Sequence, residues 1–232
     1  MSRKAEIAAG LAAVDDRVRR ACTAAGRNAA DVTVVVVTKT FPASDIRLLA
    51  ELGVRDIGEN RDREAAAKVA ECADLGLTWH FVGQLQTNKA RSVARYASVV
   101  HSVDRARLVD ALARAAATNG RHVGCLVQVS LSDDPGPGRG GAARPAVLSL
   151  ADAIASADDL RMLGVMAVAP VDADPKAAFD ELAQVAKAVQ SRHPTATWIS
   201  AGMTEDLEPA IAAGATHLRV GSAILGQRPV PG

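Results

Sequence analysis

The sequence predicts an α/β fold, a single (β/α)8 TIM barrel with one extra helix at its N-terminus. Three observations predict it. Eight apolar segments have the length and Val/Ile content of strands: 32–39, 54–58, 78–83, 98–103, 122–130, 161–168, 195–200 and 216–220. Helical patterns separate them at 44–52, 61–73, 87–95, 104–118, 145–157, 175–191 and 205–213, and a final short helix has room after 221. The composition is 49% hydrophobic but only 3% aromatic, which suits parallel strands covered by alanine-rich helices. Regular strand–helix alternation makes a parallel sheet, and eight strands is the number that closes one. An open doubly wound sheet is the alternative topology. No GxGxxG and no P-loop follows the first strand, which weakens a nucleotide-binding version of it.

The elements follow in chain order. Ile7, Leu11, Val14 and Val18 recur at helical spacing and the pattern ends near Gly26, so 1–27 reads as a helix packed on the barrel. Glu6, Asp15 and Asp16 interrupt the segment, which excludes the apolar core of a signal peptide. No run approaches the roughly 20 apolar residues of a membrane span. The segment 132–145, SDDPGPGRGGAARP, follows the fifth strand and is too rich in Gly, Pro and Asp for helix or strand. No linker or repeat divides the 232 residues, so one domain spanning 1–232 is expected.

The 27 basic and 26 acidic residues leave a net charge of +1, with no basic excess for nucleic acid and no polybasic tract for a membrane surface. Cys22, Cys72 and Cys125 are scattered and odd in number. That fits a reducing cytoplasm, with neither a disulfide framework nor a metal site.

Four features carry possible chemistry. Lys39 ends the valine run VTVVVVTK, on the face shared by Val35 and Val37. Burial there favours the neutral amine, the form that attacks an aldehyde; the alternative is a strand-end lysine that reaches solvent. Ser200 and Gly202 follow the seventh strand, and Gly221 and Ser222 follow the eighth. Loops at those two places are the common phosphate site of such barrels, with glycines admitting an anion to backbone N–H groups. Ordinary turn and cap chemistry is the alternative, and it assigns Thr204 as the N-cap of the next helix. Arg219 shares a strand face with Gly221, which puts a guanidinium inside the barrel near its top; it needs a ligand atom or a structural carboxylate there. Finally, His80, Gln84, Gln86, Asn88 and Lys89 crowd the end of the third strand, and Asn60 in GEN either caps the next helix or touches a ligand. A lone strand histidine is more often a satisfied core residue than a catalyst.

Taken together, VTKTFPASDI, GEN, WHFVGQLQTNKAR, ISAGMTEDLEPAI and HLRVGSAILGQR resemble the pyridoxal phosphate homeostasis protein family. Its members are similar to the N-terminal barrel of alanine racemases. The resemblance runs in order from Val32 to Arg228 and implies pyridoxal 5'-phosphate as cofactor. It implies Lys39 as the Schiff-base lysine, Ser200 as a phosphate-binding serine beside Gly202, and Gly221 with Ser222 completing the phosphate cup. It implies Arg219 beside the pyridine nitrogen, with Asn60 and Met203 lining the site. The sequence departs from the family at Arg139, where a lysine is usual, at the RDRE after GEN, and at Ala201.

The resemblance implies control of intracellular pyridoxal phosphate, by buffering or delivery to apo-enzymes that use it; a monomer or weak dimer is expected, and no catalytic residue, since no second base is evident. The competing class is an amino-acid racemase. Such enzymes add a β domain with a tyrosine base, for which this length leaves no room. The only tyrosine, Tyr96, is expected before the fourth strand, far from the C-terminal face. A third reading is a cofactor-free Schiff-base aldolase, which would be colourless.

Overall fold

The computed structural model describes residues 2–132, 140–171 and 173–227. Eight strands form a closed, all-parallel barrel in chain order. They are β1 (Thr33–Val37), β2 (Asp56–Glu59), β3 (Thr78–Phe81), β4 (Val99–Val103), β5 (Val123–Gln128), β6 (Leu160–Met166), β7 (Trp198–Ser200) and β8 (His217–Val220). The ring closes where β1 pairs with β8, with Val35 opposite Arg219. The helices are α1 (Arg3–Ala24), α2 (Ala43–Glu51), α3 (Asp62–Glu71), α4 (Ala90–Val93), α5 (Ala106–Asn119), α6 (Arg144–Ala155), α7 (Pro175–Arg192), α8 (Leu207–Ala212) and α9 (Ser222–Leu225). The closed ring excludes the open doubly wound alternative.

The predicted elements lie in place but several are shorter. β1 stops at Val37, so Lys39 stands two residues past the strand, in a turn. The expected helix 87–95 is a 3-10 turn followed by the single turn α4. The end of the Gly/Pro segment takes regular structure where neither helix nor strand was expected: Ala142 bridges Val129, and α6 begins at Arg144 with Pro145 tolerated in its first turn. Residues 133–139, including Arg139, lie outside the described residues.

Strand alternation sorts the core into two layers. In β3, Trp79 and Phe81 face the helices and His80 faces inward; in β8, Leu218 and Val220 face outward while His217 and Arg219 face in. The outward residues build the main apolar layer between barrel and helices. Inside the barrel, Val99, Leu126 and Met166 form a small apolar cluster flanked by Leu163 and Trp198. Val35 also faces inward, and the interior holds the polar side chains of His80, His101, Ser200, His217 and Arg219.

α1 completes the helical ring. Among the described residues, the segment after β8 forms only the single turn α9, and α1 packs against α9, α8 and α2 in the gap. Its buried face is Ile7, Val14, Val18 and Cys22, and Ser2 caps its start by accepting from the Ala5 N–H. Gly10 permits the close approach, since a Cβ there would lie 2.5 Å from the Ile224 carbonyl oxygen. Arg3 fastens the same junction, donating to Asp45 at 2.7 Å and to the Leu225 carbonyl at 2.9 Å. Among the described residues, no helix is long and apolar enough to cross a membrane.

Candidate functional site

A cavity of about 420 Å³ opens at the C-terminal end of the barrel, between the loops that follow β1, β2, β7 and β8. That is within the usual size of a small-molecule site. Lys39, Asn60, Met203, Arg219, Gly221 and Ser222 all line it, so six of the eight expected binding residues converge. Lys39 and Asn60 also line an adjoining cavity of about 470 Å³ that reaches Gln84, Gln128 and Ser130. Val168 and Met203 stand half exposed at the mouth.

Ser200 and Gly202 are not on the cavity wall. Ser200 is the last residue of β7 and fully buried, its hydroxyl accepting from Arg219 Nη1 at 2.7 Å and paired with His101 Nδ1 at 2.9 Å. Gly202, at φ 90°, turns the chain behind the wall against Ala210 and Leu218. The hydroxyls on the wall are those of Thr204 and Ser222, 3.3 Å apart, beside Gly221 at the N-cap of α9.

Two local expectations are corrected. Thr204 does not cap α8: Asp206 holds the cap position, and its carboxylate reaches back to accept the Met203 N–H at 2.6 Å. The loop's own donor competes for that oxygen, and Thr204 is left facing the cavity. Asn60 caps nothing either, since α3 has no side-chain cap; its buried Oδ1 has no partner. A buried, unmatched acceptor on a cavity wall is suited to a ligand donor.

The turn carrying Lys39 is held from behind. Lys68, buried on α3, donates to Glu59 Oε1 at 2.7 Å, Glu64 Oε1 at 2.6 Å and the Thr38 carbonyl at 2.8 Å. Its three donors are thereby all met. Thr38 donates its hydroxyl to Glu59 at 2.6 Å, and the Thr40 N–H donates to Glu64 at 2.6 Å. Both neighbours of Lys39 are thus bonded to one ionic cluster, and Thr40 sits at φ 71°, a left-handed value unusual for a β-branched residue. Burial raises the Glu59 carboxyl above its ordinary range, against the hydrogen bonds from Lys68 and Thr38. Glu64 is less buried. There the bonds from Lys68 and Thr40 outweigh burial and lower it. Sequence reasoning missed this cluster; the readable signal was the Glu64–Lys68 spacing of four on a helix.

Arg219 is inside the barrel as expected, but its acceptors are neutral: Ser200 Oγ and the Ala167 carbonyl, the latter at 2.8 Å from Nη2. Burial lowers it to about 10, so it remains a cation at neutral pH. Tyr96 departs from expectation. Its hydroxyl reaches Asp62, at the start of α3 on the C-terminal side of β2, at 3.4 Å. It lines neither cavity, and burial, with Asp62 nearby, raises it and keeps it protonated. Gln86, Asn88 and Lys89 are exposed and line neither cavity. Among the described residues, no group of three or more His, Cys, Asp or Glu side chains is placed to hold a metal, and the three cysteines are buried and free.

Fold and cavity together define the class, a (β/α)8 barrel with a small-molecule cavity at the C-terminal end of its strands. The family model described as alanine racemase, N-terminal domain, matches residues 10–229. A relative from Mycobacterium tuberculosis named pyridoxal phosphate homeostasis protein is 41% identical, over 97% of this chain and 94% of its own length. One of the same name from Escherichia coli is 35% identical, over 96% and 97%. The solved structure of PipY from Synechococcus elongatus, with PLP bound, superposes with a TM-score of 0.82 at 33% identity, covering 95% of this chain and all of that one. The chain belongs to the pyridoxal phosphate homeostasis protein family.

Proposed function

We propose that this chain binds pyridoxal 5'-phosphate covalently through Lys39 and takes part in its homeostasis, holding and releasing the cofactor without sustained turnover. The observation that carries the reading is the convergence on one wall of a primary amine, a permanent cation, two hydroxyls beside a helix start, and the unmatched Asn60 Oδ1. That donor set fits a phosphorylated, hydroxylated pyridine aldehyde. When bound, the group supplies a carbonyl that an amine captures reversibly and a ring that can act as an electron sink.

The residues present favour holding over turnover. Lys39 supplies the amine. Thr204, Ser222 and the backbone at Gly221 are the groups suited to an anion. Arg219 stays protonated and only donates, so it does not maintain a proton on a ring nitrogen as a carboxylate would. Tyr96, protonated and turned to Asp62, is unsuited to serve as a second base. Homeostasis also implies recipients, and we include delivery to apo-enzymes that use the cofactor.

The test is borohydride reduction of protein mixed with pyridoxal phosphate, followed by peptide mass mapping. A protein that is yellow before reduction, loses that colour on reduction and carries the adduct on the Lys39 peptide is expected, and none of this in Lys39→Ala. An adduct retained in Lys39→Ala, or none in wild type, refutes the attachment. Robust racemisation or transamination of amino acids refutes the absence of turnover.

A further inference from the structure

We propose that His80 and His101 are positioning residues for Arg219, acting through Ser200 along a hydrogen-bond relay of fixed polarity that crosses the barrel interior. The relay takes one residue from each of five strands. Arg219 on β8 meets Ser200 on β7 at 2.7 Å, and Ser200 meets His101 Nδ1 on β4 at 2.9 Å. His101 Nε2 meets His80 Nδ1 on β3 at 2.9 Å, and His80 Nε2 meets Asp56 on β2 at 3.0 Å. Asp56 is partly exposed, while His80, His101 and Ser200 are buried.

The polarity follows from the proton inventory. Arginine has donors only, so Ser200 Oγ accepts from it. The Ser200 proton is then directed to His101 Nδ1, which leaves the His101 proton on Nε2. That proton is donated to His80 Nδ1, so His80 carries its own on Nε2 and donates it to the Asp56 carboxylate. With both rings neutral, this arrangement satisfies every link. The reverse tautomers would set a bare His80 nitrogen against a carboxylate. Burial, reinforced by the neighbouring His80 and Arg219, holds the His101 pKa well below its ordinary 6.5, consistent with a neutral ring.

The relay accounts for a cation buried without a carboxylate in hydrogen-bond contact. Each neutral link turns its acceptor toward Arg219 and its donor toward Asp56, so the dipoles align and strengthen one another. Packing alone does not call for such a chain, since Val99, Leu126 and Met166 fill the neighbouring interior with apolar side chains. The relay's one end on the cavity wall is Arg219, which makes the guanidinium's direction there its output.

Long-range ¹H–¹⁵N NMR of the histidine rings tests the polarity on the protein without added ligand. The Nε2–H tautomer is expected at both His80 and His101. A His101 that is charged at neutral pH, or that carries its proton on Nδ1, overturns the proposal. In His80→Leu, His101 loses the acceptor for its Nε2–H and its tautomer balance shifts toward Nδ1–H; His80→Gln, which can accept and donate in the same sense, restores it.

A second arm rests on the cofactor reading above and measures the Kd for pyridoxal phosphate by absorbance. Binding is expected to weaken roughly ten-fold in His80→Leu, the scale of a disturbed hydrogen bond to a charged group, and to recover to within about two-fold in His80→Gln. Equal affinity in wild type and His80→Leu overturns the relay. If His80→Leu does not fold, Asp56→Asn at the solvent end replaces it, with weakening of about three-fold expected and unchanged binding overturning the proposal. A wild type that takes up no pyridoxal phosphate overturns the function reading instead, and the NMR result then decides the relay alone.

Discussion

Lys39 and Arg219 face the same cavity, but the molecule supports them by opposite means. Behind Lys39, between the barrel wall and α3, stands an ionic cluster of Lys68 with Glu59 and Glu64. Beneath Arg219, inside the barrel, stands a chain of hydrogen-bonded side chains, Ser200, His101 and His80. Location explains the difference. The wall site borders the protein surface, where Glu64 is a quarter exposed and water shares the cost of charge. Ser200 and His101 are fully buried, and a carboxylate placed there would carry a desolvation penalty of several kcal/mol. The carboxylate whose charge reaches Arg219, Asp206, acts from a distance. The lysine and the guanidinium on the cavity wall are thus each backed by a hydrogen-bonded network, at different dielectric.

The largest effect should come from breaking the ionic side. Lys68→Met leaves the buried Glu59 without its cationic partner beside the part-exposed Glu64, and leaves the Thr38 carbonyl without its donor. Loss of about 3–5 kcal/mol in urea denaturation is expected, the usual cost of removing one partner from a buried pair. A loss below about 1 kcal/mol would mean that Glu59 simply takes up a proton and the cluster contributes little.

The neutral side should reveal itself through pH. His217 stacks on Trp198 at 3.8 Å, and burial, with His80 nearby, lowers it to about 4. Its folded pKa is below its unfolded 6.5, so the unfolded chain binds the proton more tightly. The stability it permits is complete above pH 6.5 and is lost as pH falls toward 4, about 3 kcal/mol over the full interval. His101, lowered in the same direction, adds to that slope. Glu59, raised by burial, opposes it. Denaturation at pH 7.5 and pH 5 should therefore show a clear drop, and His217→Phe should flatten it. An unchanged slope in that variant would assign the acid sensitivity elsewhere.

The parts of this arrangement that sequence can reveal are those carried by local order. Barrel parity put Lys39 with Val35 and Val37, and Arg219 with Gly221, on the inward face, and both are at the cavity. Asn60, Met203 and Ser222 followed from their motifs. Ser200 was expected as a phosphate-binding serine, whereas it stands off the cavity wall under Arg219, a place that depends on which strands bring His101 and Arg219 across the barrel. His80 read as a satisfied core histidine, and its partners Asp56 and His101 lie 24 and 21 residues away. Thr204 looked like a cap because the competition between Met203 N–H and the helix start is settled by loop geometry rather than by residue type.

The smallest expected effect lies at Thr40, and it separates strain from packing on the ionic side. At φ 71° a β-branched residue costs about 1–3 kcal/mol, and its buried hydroxyl has no partner. Thr40→Gly removes that cost and adds back roughly 0.5–1 kcal/mol of unfolded-chain entropy, for a net gain of about 1 kcal/mol. The N–H to Glu64 survives the change, but the turn loses its conformational bias. Thermal melting should therefore shift upward while the rate of pyridoxal phosphate capture at Lys39 falls. Opposite signs in those two measurements would show that the left-handed turn is held for the sake of the lysine. A melting temperature that falls together with the capture rate would instead mean that Thr40 contributes through its packing, and that the turn stores no strain for Glu64 to hold.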